Sequence, residues 1–431
     1  KDHPVMEPKF RGPGVTRQAR KLQPSSQDEL SEACKTGNLD AVKRCLQLGG
    51  ADANGTDANG WRPLLLAAWK GHLHITRHLV DEAHASVGVA NSAGFTPVLF
   101  AAQQGWAPIV EFLVQRGADI NLANKKGATP LFVACWKGHV DVVRLIMTSY
   151  KVDVNVRLGD GTTPLLTACH QGHFAVVREL LQHREVDVNR ATLDGRTPLF
   201  LACQLGHHAV VDLLLNQDNV DTQLCTLVKR LAPLHAAAAA GHDRVVRTLL
   251  QQGADPNTRD AAGFPPLHEA CRADQGKVVQ SLIGHHRTDV NLSGWNGNTA
   301  LHIAAGGGNT SIVQMLLGMG AKLHWRNLYG LTPHAIAAKC GHEAVLPVLQ
   351  NWGADPNDRP AARPAPATVV KKALLTSMPA YTTSDQGQGQ GQGQGQTSSS
   401  SSSDTTAAQG GRTSIAPDDK TAAKSAEELV N

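Results

Sequence analysis

The sequence predicts an all-α solenoid of about ten helix–turn–helix units with short β-hairpin fingers, followed by a disordered C-terminal tail. Three observations lead to this fold. A four-residue motif recurs at steps of 33 to 35 residues, a glycine follows it at a fixed distance in nearly every copy, and 4% of the residues are aromatic although 41% are hydrophobic. Because large rings are scarce, small residues must carry the packing, as they do in closely stacked short helices.

The recurring motif is a tetrad that has proline in its second position in most copies. The tetrads begin at Arg62, Thr96, Thr129, Thr163, Thr197, Ala232, Pro265, Thr299 and Thr332. Eight residues after the proline position stands a glycine, first Gly71 and last Gly341, and Asp274 replaces it in one copy. One period before the first tetrad, Gly37 holds the glycine position and Glu29 the proline position, so the sequence contains ten copies.

Each part of the motif has a local physical role. Proline suits the first turn of a helix, where its missing N–H costs no hydrogen bond, and the threonine before it can cap that helix. The glycine ends the first helix in a left-handed conformation. The second helix carries an apolar stripe, for example Val176, Val177 and Leu180, that faces the stack. Pairs such as Asp194-Gly195 form the tight finger between units.

The repeating pattern resembles the ankyrin repeat. From Gly241 the chain reads Gly-His, then Val-Val, Leu-Leu and Gly-Ala-Asp-x-Asn, which is similar to the second half of that repeat. The resemblance covers the range 27–358, in repeats at about 27–55, 56–91, 92–124, 125–158, 159–193, 194–230, 231–260, 261–294, 295–327 and 328–358. It implies a stack in which no unit buries its apolar face alone, with a concave groove and finger tips as the binding surface.

Three departures from the pattern predict local irregularity. Between the sixth and seventh repeats the chain carries one extra residue and has Arg230 in place of the finger glycine, which predicts a distortion or hinge. Asp274 and Gly276 are expected to disturb the inter-helix turn of the eighth repeat. Pro347 falls within the last helix and should kink or shorten it.

Both ends of the chain are predicted to be disordered. The arm 1–26 holds six Lys or Arg residues against two acidic ones, and its alternative role is contact with nucleic acid or an acidic membrane surface. The tail 359–431 passes from a Pro/Ala-rich stretch through Gln-Gly repeats to a serine run. Such compositions bury too little apolar surface to order themselves.

The polar residues do not form a pattern typical of an enzyme, a metal site or a cofactor site. Eight cysteines occur without a C-x-x-C pair, and Cys135, Cys169, Cys203 and Cys271 share a position where other repeats have alanine, which predicts small buried residues. Histidines that follow the turn glycines are spread one per repeat, as in the family's structural Gly-His pair. No apolar stretch approaches the roughly 18–20 residues that span a bilayer. These features favour an intracellular, cytoplasmic protein, with a nuclear location as the alternative.

Tryptophan makes up seven of the eighteen aromatic residues. The resemblance implies that the two residues before each turn glycine face the groove and that the finger residue two before the proline position lies beside it. The candidate partner-binding residues are therefore Trp61, Trp69, Lys70, Phe95, Gln103, Gln104, Trp136, Lys137, His170, Arg196 and Arg272. Replacing Trp69 and Trp136 by alanine should then abolish partner capture without changing the melting transition. The alternative is that the rings pack on neighbouring fingers as intramolecular cover.

The sequence thus predicts a non-catalytic, monomeric scaffold or adaptor that binds a protein partner through its groove and finger tips. No small-molecule substrate, cofactor or metal is expected. Nucleic acid and membranes are not expected as partners either, because the net charge of +4 resides in the arm and the repeats are neutral. Two alternatives stay open: a substrate-recruiting subunit of a ubiquitin ligase or other enzyme complex, and a spacer tethered to membrane or nucleic acid by the basic arm.

Overall fold

The computed structural model describes residues 25–352. The predicted disordered tail, nearly all of the basic arm and the end of the tenth repeat lie outside the described residues. Within them the chain folds into α-helices joined in pairs, and it divides into two compact units: unit 1 ends at Leu158 and unit 2 begins at Gly159. The described helices confirm the predicted all-α ankyrin-type fold.

Unit 1 contains four helical hairpins. Its helices are α1 (Ser26–Thr36), α2 (Leu39–Gln47), α3 (Pro63–Lys70), α4 (Leu73–Arg77), α5 (Pro97–Gln104), α6 (Ala107–Gln115), α7 (Pro130–Lys137) and α8 (Val140–Ser149), and a π-helical turn, His78–Glu82, continues α4. The first helices α1, α3, α5 and α7 pack in one layer, and the second helices in another. Helices this short are marginal alone, so packing against neighbouring repeats supplies their stability.

Unit 2 repeats the same arrangement six times. Its helices are α9 (Pro164–Gln171), α10 (Phe174–Leu180), α11 (Pro198–Gln204), α12 (His208–Leu215), α13 (Pro233–Ala240), α14 (Asp243–Gln251), α15 (Pro266–Arg272), α16 (Gly276–Ile283), α17 (Ala300–Gly307), α18 (Thr310–Gly318), α19 (Pro333–Cys340) and α20 (Leu346–Trp352). Helices α9, α11, α13, α15, α17 and α19 pack successively. The ten hairpins of the two units match the ten copies of the sequence motif.

The helix starts follow the predicted cap chemistry. The hydroxyl of Thr96 accepts the N–H of Leu99 at 3.3 Å, and Pro97 takes the first position of α5. In the tetrads that begin at Ala232 and Thr299, the histidine in the fourth position acts as a second cap. Nδ1 of His302 accepts the N–H of Thr299 at 3.2 Å, while its Nε2 donates to the Leu331 carbonyl of the next finger at 3.1 Å. The tetrad therefore begins one helix and binds the following repeat.

The turns between paired helices are left-handed, as predicted from the glycines. Gly71 has φ 86° and Gly138 has φ 82° at the ends of α3 and α7. The disturbance expected at Asp274 does not occur, because this aspartate adopts φ 59° and replaces glycine in the same conformation. Aspartate is one of the few residues that tolerate this region, so α16 still starts at Gly276.

The fingers are tight turns. The described residues contain one isolated antiparallel bridge, between Ser293 and Thr299, in place of the expected hairpin strands. Eight of the fingers are closed by a backbone hydrogen bond, such as that from the N–H of Asp57 to the carbonyl of Trp61 at 2.9 Å. With five residues, a finger has two arms that are too short to form a longer ladder of backbone hydrogen bonds.

The extra residue before the seventh repeat is accommodated locally. Arg230 takes φ 52°, the left-handed conformation of the missing finger glycine. The finger still closes, through a 3.0 Å bond from the N–H of Thr226 to the carbonyl of Leu231. The expected distortion is therefore a one-residue bulge in the finger.

Two further predictions concern the core and the last helix. Cys169, Cys203 and Cys271 are buried free thiols, as their shared position with alanine predicted. Burial raises the pKa of each of these thiols, so they remain protonated. Pro347 lies in the first turn of α20, which begins five residues after Gly341, whereas α18 begins two residues after Gly308. Proline thus shortens the last helix from its amino end.

Candidate partner-binding surface

Four aromatic rings meet between the second and third repeats of unit 1. Trp61 and Trp69 stack with centroids 5.7 Å apart and an interplanar angle of 12°. Phe100 lies 5.6 Å from Trp61 and 5.1 Å from Phe95. Sequence reasoning found three of these residues but missed Phe100, because its position on α5 is filled by core residues such as Leu66 in the neighbouring repeat. The Trp61 ring therefore rests on a helix of the next repeat, and the Phe95 ring rests on the helix of its own repeat.

The exposure of the candidate residues in unit 1 separates them into two groups. Phe95, Gln103 and Trp136 are 5%, 7% and 9% exposed, which corrects the expectation that they present contact surface. Phe95 lies against Phe100 on the helix of its own repeat. Trp61, Trp69 and Gln104 are half-buried. The rings are thus partly intramolecular cover and partly accessible surface.

Two tryptophan–lysine pairs occupy equivalent positions at the ends of α3 and α7. The ammonium of Lys70 lies 4.1 Å from the ring centroid of Trp69, and that of Lys137 lies 3.8 Å from Trp136. Both lysines are exposed. A cation is favourable at a helix carboxyl end, and the ring face attracts it further. Gln104, at the end of α5 in the intervening repeat, is the corresponding residue there.

The residue that follows a turn glycine donates a hydrogen bond to the end of the first helix in the preceding repeat. Nε2 of His139 donates to the carbonyl of Gln103 at 2.9 Å, in the preceding repeat. Trp106 holds the equivalent position one repeat earlier, and its Nε1 donates to the carbonyl of Trp69 at 3.3 Å. The predicted structural role of the Gly-His pair thus extends between repeats. These bonds hold the backbone that carries Trp69 and Gln103 in place.

The candidate residues of unit 2 each make contacts within that unit. His170 is half-buried, and its carbonyl accepts from Nε2 of His207 at 3.1 Å. Arg196 pairs with Asp194 at 2.7 Å. Arg272 pairs with Glu269 at 2.7 Å and lies over a phenylalanine ring. They stand on three different repeats and form no shared cluster comparable to the rings of unit 1.

Burial holds two histidines and one thiol in their neutral forms. Burial lowers the pKa of His268 to about 3 and that of His302 to about 4. Burial raises the pKa of the Cys34 thiol to about 12. Within residues 25–352, no group of three or more His, Cys, Asp or Glu side chains is arranged to hold a metal ion. The geometry of unit 1 instead offers rings, amides and ammonium groups for contact with a ligand.

Comparison with known families agrees with the repeat geometry. Family models described as ankyrin repeats match residues 79–158, 145–224 and 267–360, and a second set matches 30–80 and 234–283. The chain belongs to the ankyrin-repeat family. Ankyrin repeats are protein-binding modules, so protein–protein interaction is the general function of this ankyrin-repeat chain. Among the helices of residues 25–352, none is long and apolar enough to cross a bilayer.

The ankyrin-repeat chain is similar to parts of several known proteins. It is 37% identical over 121 residues to human transient receptor potential cation channel subfamily A member 1, covering 28% of this chain and 11% of that protein. It is 40% identical over 86 residues to E3 ubiquitin-protein ligase XBAT33 of Arabidopsis thaliana, covering 20% of this chain and 17% of that protein. Human NF-kappa-B inhibitor alpha is 35% identical over 97 residues, which cover 21% of this chain and 31% of that protein. The matches thus span less than a third of each relative.

Proposed function

We propose that this ankyrin-repeat chain is a non-catalytic adaptor that binds an extended, acidic segment of a protein partner along the groove face of unit 1. The observation that carries the proposal is the pair of Trp–Lys contacts, Lys70 on Trp69 and Lys137 on Trp136, on either side of α5. We call the face formed by Trp61, Trp69, Lys70, Gln104 and Lys137 the Trp–Lys face.

The charge of the Trp–Lys face favours an acidic ligand. Helices α3, α5 and α7 contain two lysines and no acidic residue. Because each ammonium lies on a ring, its side chain is already ordered before a ligand binds. A carboxylate that reaches Lys70 or Lys137 would therefore gain a charge-assisted hydrogen bond at a small entropic cost.

The spacing of the Trp–Lys face suits an extended segment. Stacked helices lie about 8–10 Å apart, so equivalent positions on α3 and α7 are separated by two such steps. The half-buried amide of Gln104 lies on the repeat between them and can both donate to and accept from a peptide backbone. The accessible faces of Trp61 and Trp69 supply the aromatic contacts that commonly dominate interface energies.

Selection from a displayed library of random peptides tests the proposed function. We expect the intact chain to enrich sequences rich in Asp and Glu with interspersed apolar residues. The double variant Lys70→Glu/Lys137→Glu should lose at least about tenfold in affinity for the selected peptides, since two attractive contacts become repulsive. Arg44→Glu, an exposed reversal on α2, is the matched control and should bind normally. Equal binding by the double variant would refute the proposal.

A role in a ubiquitin ligase is the second candidate, supported by the similarity to repeats of a plant E3 ubiquitin-protein ligase. It requires that the chain joins a ligase complex while the Trp–Lys face recruits the substrate. Ubiquitin-transfer activity should co-purify with the intact chain and with the double variant Lys70→Glu/Lys137→Glu. If the double variant also fails to support ubiquitination of one substrate, the ligase role is supported. The alternative tether through the basic arm concerns residues that lie outside the described part of the chain.

A further inference from the structure

The fingers of unit 2 are joined by a ladder of backbone hydrogen bonds. In each step the second residue of a finger donates its N–H to the preceding finger: Leu193 to Asp160, Leu227 to Asp194, Ala261 to Lys229, Trp295 to Ala262, and Leu328 to Asn296, at 2.9 to 3.1 Å. The same atom pairing recurs at every step. The second positions of successive fingers therefore follow one another along a single edge.

That edge is unusually apolar. Six side chains on it are exposed: Leu193, Leu227, Val228, Trp295, Leu328 and Tyr329, at 39% to 81%. We call these six residues the finger edge. The second positions of the fingers in unit 1 are instead Ala58, Ser92 and Lys125, so the fold itself does not require apolar residues there. A continuous row of exposed apolar side chains is typical of a binding surface.

The bulged finger carries the most exposed side chain of the finger edge. Its extra residue places Val228 at 81% exposure beside Leu227 at 69%. The carbonyl of Lys229 then resumes the ladder by accepting the N–H of Ala261 at 2.9 Å. The insertion thus adds an exposed apolar tip while the backbone ladder continues past it.

Basic side chains surround the finger edge. Lys229 and Arg230 follow the apolar tip, and Arg326 precedes the last finger; all three are exposed. Of the acidic residues in these fingers, Asp194 pairs with Arg196, and Asp260 is buried, where it accepts finger N–H groups. Asp160, in the first finger of the ladder, is exposed. The positive surround of the finger edge is therefore at the bulged tip and the last finger.

We propose that the finger edge binds the surface of an anionic phospholipid membrane. Projecting Leu and Val side chains can enter the acyl boundary, Trp and Tyr favour the interface, and Lys and Arg attract acidic headgroups. A second copy of the chain fits less well, because Lys229 and Arg230 would approach their own equivalents. A peptide helix would need a groove to bind in, whereas the side chains of the finger edge are exposed on its surface. The neutral total charge of the repeats, which argued against membranes, conceals this local cluster.

Co-sedimentation of the full chain with vesicles tests the proposal. The probes are vesicles of equal parts phosphatidylcholine and phosphatidylserine, and vesicles of phosphatidylcholine alone. The apolar variant is Leu227→Ser/Val228→Asp and the charge variant is Lys229→Gln/Arg230→Gly, whose glycine suits the left-handed backbone. The matched controls are Leu48→Ser, at an exposed leucine of unit 1, and Lys277→Gln, at an exposed lysine on α16.

We expect the intact chain to prefer the anionic vesicles, and each finger-edge variant to partition at least about tenfold less, while both controls bind as the intact chain does. Unchanged melting of the variants would show that the loss is not unfolding. Absence of binding to anionic vesicles would overturn the proposal. So would normal binding by both finger-edge variants, which would assign membrane contact to another part of the chain. Loss of a protein ligand by these variants with vesicle binding intact would assign the edge to a protein instead.

Discussion

Nδ1 of His268 is buried without a hydrogen-bond partner because the residue before its helix is Pro265. The equivalent Nδ1 of His302 accepts the N–H of Thr299 at 3.2 Å. Proline has no N–H to donate. Nε2 of His268 donates to the Asn298 carbonyl at 3.1 Å, so Nδ1 is the unprotonated atom, an acceptor that lacks a donor.

Pro265→Thr should therefore stabilise unit 2. The new N–H satisfies a buried acceptor, which is worth about 1–3 kcal/mol, and the lost rigidity of proline offsets about 0.4–1 kcal/mol of that gain. We expect a rise of about 1 kcal/mol in the free energy of unfolding, measured by urea denaturation. Thr299→Pro is the reciprocal control and should destabilise the chain. A drop in stability for Pro265→Thr would show that the buried atom is satisfied in another way.

Stability should fall as the pH drops below 6.5. The folded-state pKa values of His268 and His302, about 3 and about 4, lie below the ordinary value of 6.5. The unfolded chain therefore binds protons first as the pH falls from 6.5 towards 4, and unfolding becomes easier in that window. Each histidine should cost roughly 2 kcal/mol at pH 5. Denaturation curves at pH 7 and pH 5 test this, and His302→Gln should show a smaller difference between them.

The two left-handed glycines that follow the helices of the third repeat, Gly105 and Gly117, should differ sharply in their tolerance of alanine. A Cβ on Gly105 would lie 2.6 Å from Nδ1 of His139, whereas one on Gly117 would have no neighbour within 4 Å. Both glycines have positive φ, 84° and 90°. Gly117→Ala should cost about 1–2 kcal/mol for the backbone alone. Gly105→Ala should cost about 1–3 kcal/mol more through overpacking. Equal losses in thermal denaturation would mean that the His139 contact is dispensable.

Alanine substitutions of the neighbours Trp136 and Lys137 should differ strongly in their effect on the stability of unit 1. Trp136 is buried, so Trp136→Ala should destabilise unit 1 by about 3–5 kcal/mol, contrary to the unchanged melting expected from sequence. Lys137→Ala at the exposed neighbour should change stability by less than about 0.5 kcal/mol. Thermal melts of the two variants measure the difference. A stable Trp136→Ala protein would mean that the ring contributes little to the core.

The sequence was sufficient to predict the repeats because proline, threonine and glycine act locally at the starts and ends of the helices. The left-handed backbone of Arg230 and Asp274 could not be predicted in this way, because non-glycine residues adopt it only where the surrounding turn imposes it. The burial of Phe95 and Trp136 arises from tertiary packing, which the local pattern does not reveal; Phe95 lies against Phe100. Phe100 escaped prediction because its position is apolar in most repeats and its contact with Trp61 arises only from stacking.

The most direct test of the Trp–Lys face is a charge-swap titration. A selected acidic peptide and its counterpart with lysine at the two most important acidic positions are titrated calorimetrically into the intact chain and into Lys70→Glu/Lys137→Glu. We expect the intact chain to bind the acidic peptide and the variant to bind the lysine peptide, with each mismatched pair at least about tenfold weaker. If the variant loses the acidic peptide without gaining the lysine peptide, or if both proteins bind both peptides alike, Lys70 and Lys137 do not contact the ligand.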